Sequence, residues 1–306
     1  MYILLIITIL FCIYLISGNI FVNKAIKKGN DTKDILNKNK DEDLPDVKRK
    51  EDSFIKDMEK DIKEVSIKST LDNIDIYYYI LKNNKTISNN YITLIHGFSG
   101  SHYSTSYFAK IFYDLGYNII TMDLRGHGKS KANYIGMGIL DSKDLLDVLK
   151  DFTEKNKECN IVLFGVSMGA ATVLTSLNLD LPKQVKCVIE DSGYTSVKDE
   201  FKYQIANIFD LPKKIIYIAN PYVKRKAKYS LFDKSSIDGV KKSKYPILFI
   251  HGIDDKIVPE KMVDELYENC NSEKQMIKFK ARHLESAYMY KDRYCKVVND
   301  FIKENL

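Results

Sequence analysis

The stretch that most constrains this chain is Ile161–Thr172, read as IVLFGVSMGAAT. Ile161 to Phe164 is an unbroken apolar run, the pattern of a strand buried on both faces of a parallel sheet. The chain then turns at Gly165-Val166-Ser167-Met168-Gly169 and continues into small residues with helical character. Glycines on both sides of Ser167 permit a strand-to-helix turn too tight for side chains there. Ser167 would be held in a strained backbone geometry with its hydroxyl at a helix N-terminus. Free N–H groups and the helix dipole favour developing negative charge at that place. The pentapeptide alone fits two readings, a nucleophile on a sharp turn or a corner with an incidental serine. The rest of the chain separates them.

Met1 to Asn23 carries no charged side chain, and Tyr2 to Ile16 is almost wholly apolar. With Ile20-Phe21-Val22 the segment is just long enough to span a bilayer. No positive n-region precedes the apolar core and no small-x-small cleavage site follows it. An uncleaved transmembrane helix over residues 1–23 is therefore expected, rather than a signal peptide. Lys24, Lys27, Lys28 and Lys33 follow the span, so the positive-inside rule leaves the remaining chain on the cytoplasmic side of the cell membrane. Five scattered cysteines with no paired spacing agree with a reducing compartment. Residues 24–64 are dense in Lys, Asp and Glu of nearly balanced sign and read as a solvated tether, with a helix near Ser53–Lys63.

From residue 65 to 306 strands alternate with helices. Val65–Ser69 and Ile74–Leu81 flank a turn at Asp72-Asn73. Tyr91–Ile95, Asn118–Asp123, the Ser167 strand, Val185–Glu190, Pro246–His251 and Gln275–Phe279 follow, with helices between most of them. This is an α/β chain: a mostly parallel sheet with helices on both faces, preceded by an antiparallel hairpin. Residues 195–244 interrupt the alternation. They read as a helical cap, with helices Val197–Phe209 and Lys213–Lys228 broken by Pro212 and Pro221. Phe201, Ile205, Ile208, Phe209, Ile215, Ile216, Tyr217 and Ile218 give it enough apolar surface for an acyl or aryl pocket, or for ordinary packing on the sheet.

The special residues fall at strand ends, where ligands bind in such sheets. A serine nucleophile needs a base, and the base needs an acid to fix its tautomer. Of five histidines, His283 follows the last strand, and a base that comes last in the chain fits the elbow type of hydrolase. His96, His102, His127 and His251 lie in earlier loops or before glycines. Three carboxylates compete for the acid: Asp255 on the loop after the penultimate strand, its neighbour Asp254, and Asp191 at the end of the strand before. The backbone N–H groups of Phe98 and Met168 are the candidate oxyanion donors. Nothing in the sequence points to a metal or a cofactor, and a formal charge of +6 without a basic helix or aromatic-basic module gives no reason to invoke nucleic acid.

The blocks His96-Gly97-Phe98, Asp123-Leu124-Arg125-Gly126-His127-Gly128-Lys129-Ser130, Gly165-Val166-Ser167-Met168-Gly169, His251-Gly252-x-x-Asp255-x-x-Val258-Pro259 and His283 together resemble the alpha/beta-hydrolase superfamily. More closely, the chain is similar to membrane-anchored bacterial serine hydrolases related to serine aminopeptidases and acyl esterases, over roughly Val65 to Leu306. That resemblance implies Ser167 as nucleophile, Asp255 as acid, His283 as base, and Phe98 and Met168 as oxyanion donors. It implies a small-molecule acyl substrate (an ester, thioester or small amide) cleaved through an acyl-enzyme. A peptidase is the alternative, and a membrane-tethered binding module a third reading. Dehalogenases and epoxide hydrolases place a carboxylate at the elbow, where this chain has a hydroxyl.

Overall fold

The apolar runs pair into one eight-stranded sheet with the Ser167 strand near its middle. A computed structural model of the chain describes residues 18–20, 22–28, 53–207 and 210–306. The strands are β1 (Ile62–Lys68), β2 (Asp75–Leu81), β3 (Asn90–Ile95), β4 (Asn118–Met122), β5 (Asn160–Val166), β6 (Val185–Asp191), β7 (Ile247–Gly252) and β8 (Lys274–Phe279). Their order is β1-β2-β4-β3-β5-β6-β7-β8. β1 pairs antiparallel with β2, and β2 with β4, while every later pairing is parallel. All parallel strands therefore end at one edge.

Helices cover both faces, which is why the inner strands are apolar at successive positions. On β5 the alternation is strict. Ile161 and Leu163 join a core with Leu145, Val148, Leu149 and Phe152 of α2 (Asp141–Lys155). Val162 and Phe164 join the opposite core, where Phe164 meets Phe108 and Phe112 of α1 (Ser106–Asp114) at 5.0 and 5.2 Å between ring centroids. The elbow helix is α3 (Met168–Ser176). A cap of α4 (Val197–Asn207), α5 (Ile215–Ala227) and α6 (Ser236–Lys242) follows β6, and α7 (Lys261–Asn269) and α8 (Lys291–Asn305) complete the layers.

Several elements differ from their sequence-based expectations. The helix expected near Ser53–Lys63 is a single turn, Phe54–Asp57, and a 3-10 turn, Glu59–Asp61. The chain beyond is taken into the sheet as β1, where Ile62 already pairs with Leu81. The closing helix is interrupted at Tyr290, whose hydroxyl donates to the Lys280 carbonyl at 3.2 Å. Pro221 does not break the cap. It lies within a continuous α5, exposed on the same side as Tyr217, whose carbonyl is the one left without an N–H donor and can turn to water.

The expected membrane helix lies outside the described residues as far as residue 17, and the expected tether does so from 29 to 52. No helix among the described residues is long and apolar enough to cross a membrane. Residues 18–20 and 22–26 are helical and packed on the domain. Val22 and Ile26 are fully buried, the Ile26 carbonyl accepts from Ile135 N–H at 2.8 Å, and Lys28 N–H donates to Asn133 at 3.0 Å. The last turn of the apolar segment thus belongs to the folded body.

Candidate active site

The turn after β5 is as tight as its glycines require. A β-carbon on Gly165 would collide with the Gly169 carbonyl, and one on Gly169 with the carbonyls of Ile95 and His96. Ser167 sits between them at φ 54° and ψ −120°, a conformation that non-glycine residues adopt only where the surroundings impose it. Its N–H is fixed by the Asp191 carbonyl of the neighbouring strand at 2.8 Å. Its hydroxyl projects beyond the sheet at the start of α3.

His283, on the loop after β8, meets that hydroxyl. Its Nε2 lies 3.0 Å from Ser167 Oγ and its Nδ1 2.6 Å from Asp255 Oδ2. The three carboxylates open in the sequence have different fates. Asp255 is buried, and its Oδ1 accepts the N–H groups of Ile257 and Val258 at 2.8 and 2.9 Å. Asp254 is exposed. Asp191 is buried but engaged elsewhere, accepting from Tyr294 Oη at 2.8 Å and Ser192 Oγ at 2.9 Å. Burial pushes the Asp255 carboxyl up, but the His283 charge and hydrogen bond, with His251 and the Val258 N–H, outweigh it and hold it below the usual range. For His283 burial acts downward, and the field and hydrogen bond of Asp255, with Glu200 and Asp191 beyond, lift the imidazole above its ordinary value.

The other four histidines are committed to structure. His96 accepts from Leu124 N–H at 3.1 Å and donates to the Gly97 carbonyl at 2.7 Å. His127 accepts from Ser99 N–H at 3.2 Å and donates to the Arg125 carbonyl at 3.1 Å. Both are neutral in those roles, and burial lowers both, His96 to about 3. His251 donates to the Val258 carbonyl at 2.9 Å, and His102 is locked on Asp123 at 2.8 Å. Only His283 has a nitrogen facing Ser167.

The loop after β3 runs beside the serine. A β-carbon on Gly97 would stand 3.2 Å from Ser167 Cβ, so the missing side chain is what lets this backbone approach. Met168 follows Ser167 directly and Phe98 follows Gly97, whose backbone approaches the serine, and neither N–H is spent on a backbone carbonyl among the described residues. The loop is held from beneath by the segment after β4. Asp123 accepts from His102 N–H, Lys129 N–H and Tyr79 Oη at 2.8 to 2.9 Å. Arg125 is buried on Asp144 through Nε at 2.7 Å and Nη2 at 2.9 Å. The motif from Asp123 to Ser130 is thus a scaffold for the Phe98 turn.

Two features of the cap depart from the sequence reading. Tyr217 points outward, 56% exposed, and Ile218 lies against Gly18, so neither lines an inner pocket. Phe201, Ile205 and Ile216 are buried, while Ile208 and Phe209 lie outside the described residues. The sequence analysis did not single out Glu200, which α4 buries. Burial raises its carboxyl to about 8, its Oε2 has no hydrogen-bond partner among the described residues, and it lies within electrostatic range of His283 and Asp255. Its helical setting among charged neighbours gave no sign that it turns inward.

Residues 87–235 match the family described as serine aminopeptidase, S33. YqkD of Bacillus subtilis is 26% identical over 216 residues, 70% of this chain and 71% of that protein. The protein bem46 of Schizosaccharomyces pombe is 28% identical over 243 residues, 78% and 74% of the two chains. An esterase from Pyrococcus furiosus has the same fold, with a TM-score of 0.67 at 22% identity, covering 82% of this chain and 94% of its own.

Proposed function

We propose that this chain, which has the alpha/beta-hydrolase fold and matches the serine aminopeptidase S33 family over residues 87–235, is a serine hydrolase cleaving carboxylic esters, thioesters or small amides through an acyl-enzyme on Ser167. The observation that carries this reading is the continuous relay from Ser167 Oγ to His283 Nε2 at 3.0 Å and from His283 Nδ1 to Asp255 at 2.6 Å. As Ser167 Oγ bonds to the acyl carbon, its proton passes to Nε2, and the carbonyl electron pair moves onto oxygen between the Phe98 and Met168 N–H groups. Asp255 holds the imidazolium. His283 then returns the proton to the leaving group, and water, deprotonated by the same nitrogen, frees the acid. Phe201, Ile205 and Ile216 supply apolar surface for the acyl group beneath the cap. The membrane anchor then falls within residues 1–17, uncharged and almost wholly apolar, with the hydrolase on the cytoplasmic side.

Labelling with a fluorophosphonate tests the nucleophile directly, with an adduct expected on Ser167. A parallel panel of p-nitrophenyl esters and amino-acyl p-nitroanilides sorts the substrates. Absence of both the adduct and any turnover would end the proposal. Glu200 favours a second reading, an aminopeptidase, because a buried carboxyl group with an open oxygen, held protonated by burial, would ionise on meeting a substrate ammonium group. In that case the anilides are the better substrates, and Glu200→Gln raises KM for them while leaving ester hydrolysis unchanged.

Two further outcomes follow from the geometry. His283 must be neutral to accept the serine proton, and its surroundings raise its pKa. Log kcat/KM should therefore fall on the acid side with a midpoint above about 6.5. A midpoint below that value would contradict the raised imidazole. His127 holds the oxyanion loop through Ser99 N–H. His127→Ala should lower kcat about 10-fold with KM little changed, a fraction of what losing a whole oxyanion donor costs, and equal losses in both constants would argue against a positioning role.

A further inference from the structure

The cap helix α5 has an outer face that packing of the hydrolase fold does not account for. Its inner positions Ile216, Ala219, Val223 and Ala227 are buried at helical spacing. On the other side Tyr217, 56% exposed, stacks on Phe232, 41% exposed, with ring centroids 5.5 Å apart. Leu211, just before the helix, is 44% exposed. From Leu211 to Lys228 the sequence holds six basic side chains (Lys213, Lys214, Lys224, Arg225, Lys226, Lys228) and no acidic one; Asp210 and Asp233 border the stretch. Lys202 Nζ adds a cation 5.8 Å from the Tyr217 ring centroid.

The same helix receives the N-terminal segment. Gly18 is packed so closely on Ile218 and Tyr222 that a β-carbon there would stand 2.8 Å from Ile218 Cγ2. Lys226 Nζ donates to the side-chain carbonyls of Asn19 and Asn23, the latter at 2.8 Å. Gly18, the first described residue after the uncharged stretch 1–17, therefore lies against α5, the helix that carries the exposed ring of Tyr217 and the lysines. Exposed aromatics amid cations, beside the entry point of an apolar segment, match the headgroup region of an anionic bilayer. A second copy fits poorly, because it would set the exposed cations of this face (Lys213, Lys214, Lys224, Arg225 and Lys228) against their own copies.

We propose that the outer face of α5, with Leu211, Tyr217 and Phe232 among the lysines, docks on an anionic lipid bilayer. Ser167 then acts on acyl amphiphiles held in that bilayer, a consequence that rests on the hydrolase reading above. The cap would lie between bilayer and serine, so acyl chains could pass from lipid to site without crossing bulk water.

The chain contains no tryptophan, so one introduced ring reports alone. Full-length Tyr217→Trp, reconstituted in vesicles of phosphatidylcholine with or without phosphatidylglycerol, should shift to the blue and be quenched by bromine-labelled acyl chains in the anionic vesicles, and high salt should reverse both. Ile87→Trp, fully exposed in the loop before β3 at the far end of the strands, should stay unquenched. The quadruple variant Lys213→Glu, Lys214→Glu, Lys224→Glu, Arg225→Glu should keep hydrolysis of water-soluble p-nitrophenyl acetate. On a long-chain ester in anionic vesicles it should lose about 10-fold or more. Tyr217→Trp behaving like Ile87→Trp, a blue shift that follows protein concentration in detergent without lipid, or equal rates of variant and wild type on the vesicle ester would each overturn the proposal. If quenching appears as expected while wild type hydrolyses neither ester, docking stands and the hydrolase reading falls.

Discussion

Ser167→Ala is expected to lower turnover of p-nitrophenyl butyrate by about 10⁴-fold or more, with the fold and its thermal midpoint retained. The removed oxygen is the atom 3.0 Å from His283 Nε2, and no other side-chain hydroxyl is recorded within hydrogen-bond distance of that nitrogen among the described residues. What survives should be the catalysis that Phe98 and Met168 N–H groups give to attack by water. Retention of more than a tenth of the activity would mean the acyl group is never carried on this residue.

Asp255→Asn should cost about as much, on the order of 10⁴-fold in kcat, through a change of tautomer rather than of shape. Oδ1 of Asp255 accepts two backbone N–H groups, from Ile257 and Val258. The new amide must therefore keep its carbonyl oxygen on that side and turn its NH₂ toward His283. Nδ1 would then have to accept, and the ring proton would sit on Nε2, the atom that should receive the proton of Ser167. Binding is untouched, so KM should change little. An equal loss in Asp191→Asn would shift the acid to the other buried carboxylate, although Tyr294 and Ser192 already occupy it.

Sequence reasoning reached the elbow because its constraint is local. Two backbone carbonyls crowd Gly165 and Gly169, and no substitution relieves them. It reached His283 through chain order, and the structure supplies the physical reason, since each other imidazole is bonded to its own neighbourhood. The residues alone left the acid among Asp191, Asp254 and Asp255, all at strand ends, and the family resemblance singled out Asp255; the fold distinguishes them as one bonded to Tyr294, one in solvent and one on His283. Glu200, the outward turn of Tyr217 and the docking of residues 18–20 and 22–28 were not legible. Each depends on which face of a short helix meets a partner far along the chain, and an apolar segment read for membrane length does not reveal that its last turn is packed on protein.

Ser167 and His283 are 116 positions apart, and His283 arrives on the loop after β8, one of the two edge strands of the sheet. During synthesis the ribosome therefore releases the strained turn of Ser167 long before the segment that can activate it. On the serine-hydrolase reading, a nascent chain would stay inert toward acyl groups around it until the C-terminal strand has been added to the edge.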